Sequence, residues 1–298
     1  MIGHYAFAAL VSFLQLAVFV FFSPVLSWCL RDAPQWLMGR AVAPLRWRGF
    51  WSGWGMMWGR RLSVLQAFTL IVALIASLSL PFLSADNLLS GLADPLVLGC
   101  LLLAGRLALT SEALWDGAQP AAVVLLRVEW RYAGLGLIIL GATEALIALA
   151  APGSDGLSGL CANLQVEPVP GLEGALACIA VALAVACPPL RPLPPGRGLE
   201  RGASDVRFEV DMARHIAALL DSAWFLLLID IGLPGLIGTF DGTFLSWCLA
   251  PAGLLARLSV GLVIVNLLRV IKQERVGRVA VLFIGMALLL ALSGRAAT

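Results

Sequence analysis

The sequence predicts an all-α, polytopic integral membrane protein with about eight transmembrane helices and an interfacial helix in the first cytoplasmic loop. Three observations carry this. Of 298 residues, 60% are hydrophobic and 13% charged, against roughly 45–50% and about 25% in soluble domains. The apolar residues fall into eight runs near the ~20 residues that a bilayer-spanning helix needs. Basic residues gather in alternate connections between those runs. Together these exclude a soluble globular domain, a disordered chain and a secreted disulfide scaffold. The net charge of +2 gives no reason to expect a nucleic-acid partner.

The first run, 6–30, is too long for a signal-peptide core and lacks a basic leader, so it reads as a span. The loop after it, 31–61, carries Trp47, Trp51, Trp54 and Trp58 on one helical face, bracketed by Arg46, Arg48, Arg60 and Arg61. Indoles favour the headgroup boundary and arginines favour anionic lipid. This segment reads either as a helix lying on the bilayer or as a platform under a peripheral protein. Gly49, Gly53, Gly55 and Gly59 weaken it as a helix.

The next runs are 62–84, 94–113 and 132–151. The second of these holds Arg106 and Glu112, and the third holds Glu144. Run 172–190 ends in the Pro-rich stretch CPPLRPLPP, a helix stop followed by an extended segment. A basic loop follows with Arg191, Arg197, Arg201, Arg207 and Arg214. Its acidic and basic residues 205–215 read as a solvated helix start or a docking surface. Run 215–238 contains Asp221 and Asp230, run 249–268 contains Arg257, and run 279–295 closes the set. Glycine and proline within the runs are compatible with membrane helices. No Gly- or Pro-broken helices are evident at matching positions of two halves, as an inverted-repeat transporter would show.

Seventeen of the 20 basic residues lie in four alternate loops (31–61, 114–131, 191–214 and 269–278), and the opposite loops and termini hold only Arg295. Those opposite loops carry Asp86, Asp155, Glu167 and Asp241 instead. The bias predicts four cytoplasmic loops with both termini outside. Its phase holds through eight runs, which supports that number.

Ionisable groups inside membrane spans are costly and usually functional. Glu144 cannot easily reach water, so it is expected either to hold its proton more tightly than a free carboxyl or to pair with a cation such as Arg106 or Arg257. Asp221 and Asp230 are nine residues apart, about 900° of helix at 100° per residue, and therefore point to opposite faces. Each reads as a structural polar group or as part of a hydrophilic path for protons or ions. The six cysteines show no C-x-x-C spacing and neither histidine lies near one, so no metal or cofactor is expected in this chain. No nucleophile–base set or phosphate-binding glycine motif supports catalysis by the chain alone.

Across nearly its whole length the chain resembles the H-type membrane subunit of respiratory complex I and of membrane-bound hydrogenases. FLQLAVFVFFSPVLSWCLRDAPQWLMGR resembles the first span of that family, running through a proline into a basic loop. LLLAGRLALTSEAL resembles its third span, with Arg106 as the arginine. DVRFEVDMARHIAALLDSAWFLLLIDIGLPG resembles the segment leading into its sixth span. There Glu209 takes the place of a motif glutamate, and Asp221 that of an acid about three turns later. LLRVIKQERVGRVAVLFIGMALLLAL is most similar to the hydrogenase branch. The family glutamate at the end of the fifth span is replaced in Ala186-Cys187-Pro188-Pro189, and two charges before the fourth span are absent from Gln119-Pro120-Ala121.

The resemblance implies a membrane-anchor subunit of a complex I-like or hydrogenase-like respiratory complex in the bacterial cytoplasmic (inner) membrane. Its partners would be antiporter-like membrane subunits and peripheral hydrogenase-like Fe–S subunits, with Fe–S clusters, and NiFe in the hydrogenase case, carried by those partners. The lost carboxylates weigh against quinone binding and against full proton pumping. On this reading Glu144, Glu209, Asp221, Asp230, Arg106 and Glu112 are the proton- or ion-path candidates, and the Trp/Arg loop 46–61 and the loop 191–214 dock the partner. Two alternatives stand beside it: an active proton- or ion-translocating coupling subunit, and an unrelated eight-span transporter.

Overall fold

The computed structural model describes residues 2–31, 39, 62–84, 89, 94–115, 120–150, 159, 164, 166, 171–186, 203–238, 243–268 and 273–296. Among them the regular elements are eight α-helices and one 3-10 turn. The helices are α1 (Ile2–Arg31), α2 (Val64–Ser79), α3 (Pro95–Trp115), α4 (Pro120–Ala150), α5 (Gly171–Ala186), α6 (Ala203–Gly232), α7 (Phe244–Leu268) and α8 (Gln273–Ala296). One helix falls on each apolar run of the sequence. The Trp/Arg segment 46–61, with Arg191, Arg197 and Arg201, lies outside the described residues.

Four apolar segments are long enough to cross a membrane: Phe7–Leu30, His215–Gly232, Phe244–Leu268 and Arg275–Ser293. Val64–Ser79, Pro95–Ser111, Ala133–Leu149 and Gly174–Ala184 are shorter apolar helices. Their outward surfaces fit a membrane protein. Leu10, Phe13, Ile71, Phe244, Leu255, Leu282 and Leu289 are all exposed, a pattern that water tolerates poorly as a continuous surface.

Each helix begins where local chemistry allows. Ser63 caps α2, its hydroxyl accepting from the Gln66 N–H at 3.0 Å. Asp94 caps α3, with Oδ1 accepting from the N–H groups of Leu96 at 2.7 Å and Val97 at 3.1 Å. Pro95 and Pro120 open α3 and α4, where a missing N–H leaves no helical bond unmade. Inside the helices, hydroxyls bond back to their own backbone: Thr69 to Leu65 O, Ser77 to Ala73 O, Thr110 to Arg106 O and Thr143 to Ile139 O. That leaves them no need of water. In α1, Pro24 cannot donate to Val20 O, and the Ser23 hydroxyl donates to that carbonyl at 3.1 Å instead.

The core is organised around α6. It touches α1, α2, α3, α5 and α7, and every residue from Ile216 to Ile231 is buried. Of the apolar window of α6, 89% is buried, against 28% for those of α7 and α8, so α6 is the axis, and α8 packs outside it on α4 and α5. Close approach to α6 requires glycine at two contacts. A Cβ on Gly261 of α7 would stand 2.3 Å from Ile229 Cδ1, and one on Gly136 of α4 would stand 2.9 Å from Trp224 Cζ2.

The helices differ from the apolar runs in two ways. α4 and α6 start well before their apolar runs, at Pro120 and Ala203, because charge interrupts an apolar run but not a helix. Arg127, Trp130 and Arg131 accordingly sit exposed on the third and fourth turns of α4. Conversely, α2 and α6 end before their runs do, at Ser79 and Gly232. Each stops at a Leu-Pro step, Leu80-Pro81 and Leu233-Pro234, and the chain continues as Phe82-Leu83-Ser84 and Gly235-Leu236-Ile237-Gly238. The two exits run side by side, joined by a parallel bridge between Ser84 and Gly238. The expectation of no matched helix breaks is corrected in this respect: two helices end in the same Leu-Pro-x-Leu pattern, at adjacent places in the bundle.

Candidate functional site: the buried charges around α6

The buried ionisable side chains of α6 are Asp221 and Asp230, 1% and 0% exposed. Nine residues separate them, about 13.5 Å along the axis and half a turn around it, so they face different neighbours. Asp221 meets Arg106 of α3, whose Nη1 donates to Oδ1 at 3.1 Å. Asp230 meets Arg257 of α7, whose Nη1 donates to its Oδ1. Both arginines are as deeply buried as the acids.

Arg257 does more than neutralise Asp230. Its Nη2 donates to Phe82 O at 2.9 Å, and Pro81 O lies 3.4 Å from both terminal nitrogens. These carbonyls belong to the exit of α2, where the Pro81 break leaves acceptors with no helical donor. Gln15 of α1 serves the next two residues. Its Oε1 accepts from the Leu83 N–H at 3.2 Å, and its Nε2 donates to Ser84 O at 3.4 Å. Irregular backbone buried this deeply persists only when protein groups satisfy it. Gln15, Arg257 and the bridge to Gly238 do so, tying together α1, α2, α6 and α7. Phe82 also packs edge-on against Phe19 of α1, with ring centroids 5.5 Å apart.

Glu144 takes neither arginine. It lies half-buried beside the Asp94 carboxyl and the Leu96 N–H at the start of α3, and its Oε2 is buried with no hydrogen-bond partner among the described residues. The arginine partner expected for it is engaged elsewhere, because α6 brings two better-placed acids to the bundle axis. Glu112 lies near the end of α3, and Glu209 and Arg207 near the start of α6. The six path candidates are therefore distributed over α3, α4 and α6, and the structure joins Arg106 to Asp221 but not Asp221 to Asp230.

Two groups of this site were not singled out from the sequence. Gln15 is the lone amide in a run otherwise built of apolar residues, serine and proline, a signal comparable to a buried charge. The paired Leu-Pro steps were also present, hidden by hydropathy that stays high through the irregular segments. Chemically, the arrangement neutralises and immobilises. Arg106 is held by Asp221 and Arg257 by Asp230, and Arg257 also fixes the exit of α2 against α6 and α7.

No family model matches the chain, and no curated protein matches it in sequence.

Proposed function

We propose that the chain is a membrane-anchor subunit of a complex I-like or hydrogenase-like respiratory complex in the bacterial inner membrane. On this reading all eight helices span the bilayer, both termini lie outside, and the four basic loops dock a peripheral Fe–S module. The family resemblance of the sequence supports the assignment. One structural observation favours an anchor over a pump: both buried aspartates of α6 are held by arginines, Asp221 by Arg106 and Asp230 by Arg257. A paired and desolvated acid is a poor proton carrier, since releasing its charge strands the partner cation. Gentle detergent purification followed by identification of bound proteins tests the proposal. A hydrogenase-like large subunit and a small Fe–S subunit are expected to co-purify. A chain that purifies alone as an oligomer and transports a solute in liposomes overturns it in favour of a transporter.

A second reading, an active coupling subunit, is favoured by Glu144, an acid on an apolar helix that no arginine of the described residues holds. It predicts that Glu144→Gln or Asp221→Asn cuts proton translocation by the assembled complex while assembly survives. The anchor reading predicts unchanged translocation in both.

A further inference from the structure

Between α4, α5 and the exit of α6 lies a cavity of about 520 Å³. Its wall is Leu146, Ile147, Ala177, Val181, Ile231 and Leu236. The volume falls in the ~300–1,000 Å³ range of ligand sites and far exceeds the water-sized voids that packed interiors tolerate. Among the described residues one hydroxyl-bearing side chain lines it, Thr143, and that hydroxyl donates to Ile139 O of its own helix. Apart from the backbone of Gly232–Leu236, where α6 ends, the described wall is apolar, so water and polar solutes gain few partners there. The cavity therefore selects an apolar occupant. Its mouth is marked by Cys178, which lines the cavity and is also exposed. Beside it Leu172 and Ile179 are exposed on the same helix, at 60% and 44%, so the entrance continues into apolar outer surface. From Gly174 to Val181 the lining runs along α5 for about 10 Å at 1.5 Å per residue, an elongated slot.

We infer that this slot holds one acyl chain of a bilayer phospholipid, entering sideways past Cys178. The inference rests on the reading of these helices as membrane-embedded. The chain then completes the packing of α4 against α5 that the side chains leave unfinished.

The test uses the full chain in phosphatidylethanolamine–phosphatidylglycerol vesicles doped with phosphatidylethanolamine bearing a photoactivatable acyl chain. Adducts are mapped by mass spectrometry after irradiation. Segments 143–147 and 174–181 are expected to carry several-fold more adduct than 255–267 of α7, where Leu255, Val263 and Leu267 face outward. Filling the slot with Ala177→Phe or Val181→Phe lowers that excess to the α7 level, while Ala256→Phe on the exposed face of α7 leaves it intact. Equal labelling of the slot and α7 in the unaltered protein overturns the inference, without need of any variant. So does an excess that persists in both filled proteins. Absence of adduct from α7 as well means that the chain is not in the bilayer, which overturns the membrane reading itself.

Discussion

Arg257 of α7 donates to Asp230 of α6 with both side chains wholly buried, and the same guanidinium donates to Phe82 O beyond the end of α2. One cation thus serves an acid on one helix and the open end of another. Removing either charge strands the other in an apolar interior, which typically costs about 3–5 kcal/mol. Asp230→Asn is expected to lower the unfolding free energy in detergent by that order. Asp230→Leu combined with Arg257→Met is expected to cost less than Asp230→Asn alone, because no charge remains to be solvated. A double variant as unstable as the single one would show that the carbonyl contacts to Pro81 and Phe82, not the ion pair, dominate.

The second pair behaves as an independent unit. Arg106 and Asp221 touch at 3.1 Å, so Arg106→Ala and Asp221→Ala should couple in a double-mutant cycle by about 0.5–3 kcal/mol. Asp221→Asn and Asp230→Asn affect acids held by different arginines and two and a half turns apart on α6, about 13.5 Å, so their costs should add to within about 0.5 kcal/mol. Unfolding curves of the two single and the double variants decide this.

Gln15 holds the backbone of Leu83 and Ser84 from both sides. Gln15→Leu fills a similar volume but removes the acceptor of the buried Leu83 N–H, an expected loss of about 1–3 kcal/mol. Hydrogen exchange at Leu83 should accelerate before the bundle as a whole loosens. Protection at Leu83 that is unchanged in the variant would exclude the amide clamp.

Two glycines, Gly261 of α7 and Gly134 of α4, give opposite expectations. Gly261→Ala drives a Cβ to within 2.3 Å of Ile229 Cδ1 and 2.6 Å of Phe225 Cζ, and overpacking of this kind typically costs about 1–3 kcal/mol. Gly134→Ala meets nothing within 4 Å and gains up to about 1 kcal/mol from helix propensity. Thermal midpoints of the two variants should move in opposite directions.

The placement of all eight helices was legible in the sequence, because apolar runs of this length have few other uses. So was the opposition of Asp221 and Asp230, which follows from helix geometry alone. The choice of partner was not. Arg106, Arg257 and Glu144 lie on α3, α7 and α4, and only the packing of those helices around α6 decides which acid each arginine reaches. Helix ends were legible only in part. Hydropathy reports what a segment touches, not whether its backbone is helical, so it ran on through Pro81–Ser84 and Pro234–Gly238. It missed the charged early parts of α4 and α6 for the same reason. Proline was the readable sign in the first case, and the Asp94-Pro95 and Gln119-Pro120 steps were readable starts.

The charge pairing of α6 also bears on how the chain can be made. An aspartate near the middle of a helix costs roughly 2.5–3.5 kcal/mol when it enters lipid from the translocon, and less toward the ends; Asp221 lies inside the apolar stretch of α6 and Asp230 two residues before its end. Arg106 precedes Asp221 in the sequence and has already been synthesised when that acid emerges, whereas Arg257 follows Asp230. The second acid has no counter-ion until α7 is complete. On the membrane reading, translation order couples the insertion of α6 to that of α7, and a nascent chain halted between residues 232 and 244 is expected to insert α6 less completely than one that includes α7.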